Sequence, residues 1–580
     1  MITNQPLPRR RGRTLPPVSL PFHKNNVYAW LGLLIVFLLF MLPVVRLVWL
    51  SFVEEGAFTF AHYTEVLKER ATWRTIQNTV LIVFGSTSLA LVLGTMMAWI
   101  IAYVHVSGKK IMQLFIFLPF IIPSYITTLA WTQFFSGSGP VSAIFQQLPG
   151  QLEAPNLYSM GGIIFMLGLS HYPLVYLFTV NVFRKIPRDL EDAAATSGAS
   201  KKQVWRKLVL PLALPGIASG GLLAFLSNLD NFGIPAFLGT PANIRVLSTY
   251  IYEQAIRFGP TAFAKAAVLS VILGVIALAG TLVQWLLLRK SKVTDTVISD
   301  AEPRFFLTPF RKKLLEISIW TFLLLISLVP FITMAALSFI QAYGVPFTLE
   351  NLSLKNYEYV FFTDSKAMSA LSNSLQLAFV TMVICLIAGT AFAYLRYKNT
   401  GWMAKAAELF ITIPYALPGT VFALSMIFMW MQPIPGWNPG IYGSIWILFI
   451  AYVTRFLILQ VRGSYTAFMQ VDPSMEEAAR TSGAKGWAKW RSILLPLLFP
   501  GLVGGALLVF LMVLTELTVS SLLWSSGTET VGVVIFNYEQ AGYSTYSTAF
   551  SSALVLGILL GGLLFLLFSK VWERKVLKDK

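Results

Sequence analysis

Runs of about 20 apolar residues recur along the chain, separated by shorter polar stretches that carry most of its Lys, Arg, Gly and Pro. A helix of about that length crosses a hydrocarbon core of roughly 30 Å. The runs predict spans near 27–50, 76–103, 111–133, 160–183, 212–232 and 264–288, then near 314–340, 372–395, 403–431, 441–461, 498–523 and 548–569. Alternation at ~10-residue spacing, the sign of a membrane barrel, is missing. The fold class expected is therefore an all-α polytopic membrane protein with about 12 transmembrane helices, and an even number places both termini on one face.

Composition strengthens this reading: 56% of the 580 residues are hydrophobic and only 12% charged, far from ordinary soluble usage. Charge sets the orientation, because cationic loops stay in the cytoplasm. The N-terminal tail with Arg9, Arg10, Arg11 and Arg13, the loops after the even-numbered spans and the C-terminal segment hold 34 of the 44 basic residues. The opposite loops hold eight, and Arg46 and Arg455 fall inside spans. Both termini are expected inside a bacterial cell membrane, with residues 1–26 a cytoplasmic tail and not a cleaved signal peptide. A net charge of +18 spread over membrane-flanking loops does not suggest nucleic-acid binding. The lone Cys385 offers no disulfide, and the four histidines have no metal-ligand spacing.

A duplication organises the rest. "EDAAATSGASKKQVWRKLVLPLALPG" from Glu191 returns as "EEAARTSGAKGWAKWRSILLPLLFPG" from Glu476, at a constant offset of 285. The match runs on through Gly220, Phe225 and Leu226 onto Gly505, Phe510 and Leu511. Two parallel six-span repeats follow: one permease-like module over 27–295, a polar linker over 296–312 and a second module over 313–580. Each duplicated stretch lies in a long cytoplasmic loop, and long ordered loops are usually functional. Its chemistry predicts two short helices, acidic at the start and basic toward the end, with Gly198 or Gly483 making the turn between them.

These residues carry a resemblance to the permease subunits of bacterial, binding-protein-dependent ABC importers. The pattern is an acidic residue, Ala-Ala, three residues, Gly, nine residues, an aliphatic, one residue and Leu-Pro. In this chain it reads Asp192-Ala193-Ala194, Gly198, Leu208, Leu210-Pro211, then Glu477-Ala478-Ala479, Gly483, Ile493, Leu495-Pro496. The first copy departs by Asp192 and Leu208, and the adjacent Glu191 (Glu476 in the second copy) could supply the salt-bridging carboxylate instead. The resemblance implies that each loop docks in a groove on a cytoplasmic ABC ATPase, so that two ATPase subunits bind ATP outside this chain. It also implies an extracytoplasmic substrate-binding protein, and no catalytic residue, cofactor or metal site in the chain itself. No G-x-x-x-x-G-K-[ST] phosphate loop occurs in the sequence. Two fused modules, "LDNFGIPAFLG" after span 5 and Glu516 near span 11 resemble the iron(III) permease group.

Candidate pathway residues are Asn228, Asp230 and Asn231, which face Thr515 and Glu516 by the repeat; ionisable groups at membrane depth tend to line cavities, but a rise of about 1.5 Å per residue from Pro211 sets Asp230 close to the outer surface, where water or a helix end would satisfy it instead. His171 and Arg455, adjacent when the halves are superposed, suggest interhelical hydrogen bonds. Phosphonate (2-aminoethylphosphonate), thiamine, polyamine or inorganic-anion import stands beside iron. An ion-coupled secondary transporter also uses twelve spans, but needs no docking loops. A membrane-embedded enzyme would need a cluster of His, Asp or Glu at one depth. Tags at both termini and near Asp300 are expected to report cytoplasmic and a tag near Asn156 external; a linker and C-terminus on opposite faces would overturn the twelve-span reading.

Overall fold

The computed structural model describes residues 25–578, apart from 55, 138, 148, 150–152, 258–260, 290–301, 343–344, 346–347, 432–439, 482 and 484–485. The basic tail at Arg9 to Arg13 and the linker through Asp300 thus lie outside the described residues. Ten described helices are long and apolar enough to cross a membrane: Ala29–Leu50, Arg70–Tyr103, Met160–Lys185, Lys201–Asp230, Ala262–Leu286, Pro309–Leu337, Ser365–Lys398, Ile445–Gln470, Gly486–Leu514 and Ser544–Phe565. Spans 3 and 9, expected as single helices, are instead pairs: Lys109–Ile121 with Ser124–Phe134, bent by 99°, and Trp402–Ala416 with Gly419–Trp430, bent by 110°. Counting each pair as one span gives twelve, and the spans are numbered in that order below.

The bends have a local cause. Pro123 and Pro418 push the residues before them, Ile122 and Leu417, out of the helical region to ψ 134° and 145°. Two extended residues in succession turn the chain. Span 11 is shorter than its apolar run suggests, ending at Leu514, after which Ser520–Leu523 forms a separate turn of helix. Span 5 reaches back into the duplicated loop to Lys201 through a π turn at Trp205–Val209, and span 11 repeats this at Trp490–Leu494. A wider turn there accommodates Pro211 and Pro496, which bring no N–H to the helix ladder.

The modules interlock. Span 1 lies on the bent pair of the second module, with Trp30 edge-on to Trp402 at 5.4 Å, Phe37 to Phe410 at 5.5 Å, and Arg46 donating to the carbonyl of Met429. Span 7 does the same on the first module's pair, with Phe115 edge-on to Trp320 at 5.7 Å and Ser327 donating to the carbonyl of Phe115. Each module lends its first span to the other.

Span 4 forms the axis of the first module, and glycines let its neighbours close on it, because without a hydrophobic drive between helices close packing supplies the association. A Cβ on Gly94 of span 2 would sit 2.6 Å from Val175 Cβ, and one on Gly220 of span 5 would sit 2.7 Å from Val175 Cα. The second module repeats the seam on Gln460: Gly389 at 2.9 Å from its Cβ and Gly505 at 2.8 Å from its Oε1. Gly94→Leu and Gly389→Leu are each expected to cost about 1–3 kcal/mol by overpacking and to lower the melting temperature of the purified protein. Gly504→Ala, which meets nothing within 4 Å, serves as the control; equal melting for all three variants would reject the seam.

Candidate coupling loops and an ionic clasp

The loop helices form as the duplication predicts. The first, Arg188–Thr196, carries Asp189 and Glu191 in its first turn, favourable beside the positive end of a helix. It ends as Ser197 N, Gly198 N and Ala199 N donate to the carbonyls of Ala193, Ala195 and Ala194. Gly198 there has φ 86°, and Gly483 in the second copy has φ 80°, a region costly for residues with a Cβ. After Gly198 the chain restarts on a reciprocal cap: Ser200 Oγ accepts from Gln203 N while Gln203 Oε1 accepts from Ser200 N. The second loop helix, Pro473–Thr481, begins on Asp472, whose carboxylate accepts from Ser474 N at 2.9 Å and is held below the usual carboxylate range by that bond. Asp192 and Glu477, the acidic residues of the two motifs, are both exposed, as are Ala193 and Ala478, whereas Glu191 is turned inward and half-buried. Ala194 is half-buried, while Glu476 and Ala479 lie within the second loop helix. Leu210-Pro211 and Leu495-Pro496 open the long helices that follow.

Each loop sits on an aromatic triplet. Trp205 packs against Trp99 of span 2 at 5.9 Å and Phe183 of span 4 at 5.9 Å. Trp490 packs against Tyr394 at 5.0 Å and Phe468 at 6.1 Å. The repeated Trp-Arg dipeptide was the sequence signal for this anchor. The rings join each loop to spans 2, 4 and 5, or to 8, 10 and 11.

Far from the loops, the two modules meet in an ionic clasp. Arg455 of span 10 donates from Nη2 to Asp230 Oδ2 at 2.9 Å and from Nη1 to the carbonyl of Leu417 at 3.2 Å. Asp230 Oδ1 accepts from the backbone N–H of Gly419. Leu417 and Gly419 flank the break in span 9, so the pair caps both raw helix ends, the cation at the carbonyl end and the anion at the amide end. Asp230 comes from the first module and the other three from the second. A Cβ on Gly419 would lie 2.7 Å from Thr518 Cγ2, which keeps that approach open only to glycine.

The remaining pathway candidates each have a partner inside the protein. Asn228 is buried, with Oδ1 2.7 Å from His171 Nδ1 and Nδ2 donating to Thr87, joining spans 2, 4 and 5. His171 thus bonds within its own module while Arg455 reaches across. Thr515 returns its hydroxyl to the carbonyl of Leu511. Glu516 is buried and accepts from Val519 N at 2.7 Å and from Ser520 N at 2.9 Å, capping the short helix that follows. Asn231, its counterpart, accepts from Ile234 N at 3.0 Å and donates to Ser124. The structure therefore joins Asp230 to Arg455 and does not join it to Glu516. At the end of span 2 opposite the loops, Arg70, Arg74, Asn78 and Arg245 line a cavity of about 840 Å³; laying Ser365–Lys398 start to start on Arg70–Tyr103, both 34 residues long, puts Ser365, Ser369 and Asn373 at the first three positions, and the offset of 285 puts Thr530 at the fourth.

Comparison with known proteins places these features. The family described as "Binding-protein-dependent transport system inner membrane component" matches residues 90–292 and again 385–578. The "Probable ABC transporter permease protein y4fN" of Sinorhizobium fredii is 24% identical over 92% of this chain and 96% of its own length. The "Ferric transport system permease protein FbpB" of Actinobacillus pleuropneumoniae is 23% identical over 90% of this chain and 75% of its own. The "Sulfate transport system permease protein CysT" of Salmonella typhimurium is 28% identical over 41% of this chain and 84% of its own.

Removing one side of the clasp strands the other. Arg455→Gln and Asp230→Asn are each expected to destabilise by about 1–3 kcal/mol, less than a fully enclosed pair because Asp230 keeps solvent contact. The double variant is expected to lose clearly less than the two single losses combined, read by thermal unfolding in detergent; strictly additive losses would show that the pair is uncoupled.

Proposed function

Since the chain belongs to the binding-protein-dependent transport system inner membrane component family, matched once in each module, we propose that it is the permease of an ATP-driven importer for iron(III). As an ABC importer permease it is a transport component that spans the membrane many times. In the proposed complex two cytoplasmic ATPase subunits grip the two loop helices and bind the ATP, and an external binding protein delivers the substrate. The observation that carries the reading is the pair of exposed loop helices, each with its acidic residue outward, a left-handed glycine at its end and an aromatic anchor leading into the spans.

In mechanism, ATP-driven approach of the ATPases brings the loop helices together, the anchors carry that movement into spans 4, 5, 10 and 11, and the passage between modules changes its open side. Hydrolysis resets it. Similarity to ferric permeases over most of the chain supports iron as cargo. Asp230 and Glu516 are occupied by Arg455, Gly419 and the capping amides, so we assign metal selection chiefly to the external protein, the passage contributing weak oxygen contacts. A second reading, import of an oxyanion, is favoured by the sulfate permease relative and by the cavity lined by Arg70, Arg74 and Arg245.

The functional test has two arms. Affinity-purified chain is expected to bring an ATPase with it, and Gly198→Val with Gly483→Val, each costing about 1 kcal/mol or more of backbone strain, is expected to weaken that association while the protein still inserts. Normal transport and retention by the double variant would end the docking assignment. In a strain lacking other iron routes, uptake of radiolabelled iron(III) is expected to depend on this gene; equal uptake without it, with labelled sulfate or phosphonate uptake lost instead, would move the assignment to an oxyanion.

A further inference from the structure

Residues Glu302–Leu307 connect the modules immediately before span 7 and were expected to be a plain polar linker. They are a built structure. The backbone N–H groups of Arg304 and Phe305 both donate to the carbonyl of Tyr103, at 2.7 and 2.9 Å, and His105 N donates back to the carbonyl of Phe305 at 3.0 Å. The segment lies along the end of span 2 like a short added strand, with a parallel bridge from Val104 to Phe305. Phe305 enters the first aromatic anchor, 5.8 Å from Trp99 and 6.3 Å from Tyr103.

Arg304 is the centre of this contact. Its guanidinium lies 4.5 Å from the centre of the Tyr103 ring, donates to the Tyr103 hydroxyl at 3.0 Å and to the carbonyl of Ile186 at 2.5 Å, and pairs with Glu191. Tyr103 also donates to Glu191 at 2.8 Å. The side chains of Arg304 and Glu191 are 7% and 16% exposed, so the pair is shielded from the screening that weakens surface bridges. One residue of the connecting segment thus holds the last residue of span 2, the end of span 4 and the first loop helix together. Arg188, at the head of that helix, adds a bond to the carbonyl of Pro303 at 2.9 Å.

We propose that this segment is a strap that fixes the pose of the first loop helix and ties it to span 7, making the two ATPase contacts inequivalent. The ATPase part rests on the function proposed above; the bracing does not. Glu191 is committed to Arg304, so Asp192 is the carboxylate that the first loop presents. In the second module the position of Tyr103 is held by Lys398, which lies over the rings of Tyr394 and Tyr397 and provides no phenol shelf for an arginine. Because the strap runs directly into Pro309–Leu337, and that span packs on the bent pair of the first module, displacement of the first loop helix pulls on both modules. Among the described residues, the second loop meets its own module through its anchor.

Hydrogen–deuterium exchange on the full chain, purified without any ATPase, tests the bracing. In Arg304→Gln the amides of residues 188–199 are expected to exchange about tenfold faster while those of 473–481 keep their rate. Glu191→Gln is expected to give the same local change, the double variant no more than the stronger single, and Arg304→Lys a partial return. Unchanged exchange in 188–199, or equal acceleration in both loop helices, overturns the strap. Should Arg304→Gln fail to insert, Glu191→Gln reports on the same bond from the other side. With ATPase present, native mass measurement of Arg304→Gln is expected to show loss of one ATPase subunit before the other. Absence of any ATPase from the unaltered chain would count against the transporter complex, and the exchange result would still decide the strap.

Discussion

A broken helix leaves amides and carbonyls without their helical partners, and the meeting of the two modules is built around that constraint. Span 9 breaks at Leu417 and Pro418 because the proline forbids helical geometry to its predecessor. The amide of Gly419 and the carbonyl of Leu417 are then answered by Asp230 and Arg455. The same two side chains neutralise each other. One ion pair therefore satisfies a broken backbone and joins two modules, with the charges placed where the half-helix dipoles favour them. Span 3 breaks for the same reason at Ile122 and Pro123, and there Asn231 reaches Ser124 with neutral groups.

What could be read in the sequence follows from what each signal measures. Hydropathy reports apolar length, so it located twelve runs, yet it is blind to direction: Pro119, Pro123, Pro414 and Pro418 stood in plain sight inside runs that continue apolar across the bend. The loop helices were legible because duplication repeated their Ala pair, glycine and Trp-Arg at fixed spacing. Asp230 was singled out as an ionisable group in a span and Arg455 for lying beside His171 when the halves are superposed, but their pairing depends on how spans 5, 9 and 10 converge, which no local pattern encodes. Glu516 read either as a pathway carboxylate or as a group satisfied by water or a helix end; its two oxygens are taken by Val519 and Ser520 three and four residues on, the cap of the short helix that follows. Arg304 was counted as one more inside cation, since charge bias says where a residue lies relative to the membrane and nothing about what it holds.

The modules keep one plan with different chemistry at matching points. The glycine seams survive on both sides, with Gly94 and Gly220 on Val175 and Gly389 and Gly505 on Gln460, because backbone-close packing tolerates no substitute. The aromatic anchors survive with Trp99 exchanged for Tyr394, since a flat ring is all that the contact requires. Charges are not kept in pairs: Arg70, Arg74 and Arg245 face Ser365, Ser369 and Thr530 across the pseudo-axis.

That loss of equivalence reaches its limit at the clasp. The partner of Asp230 under the repeat is Thr515, and that of Arg455 is Ser170, so two copies of the first module would set Asp230 against Ser170, and two of the second Arg455 against Thr515, a lone charge against a hydroxyl where this chain brings an acid to a base. Divergence has made each half an obligate mate of the other. During synthesis the first module must carry Asp230 unmatched until a segment more than 200 residues later is inserted beside it, which places a premium on having both halves drawn from one ribosome into one patch of bilayer.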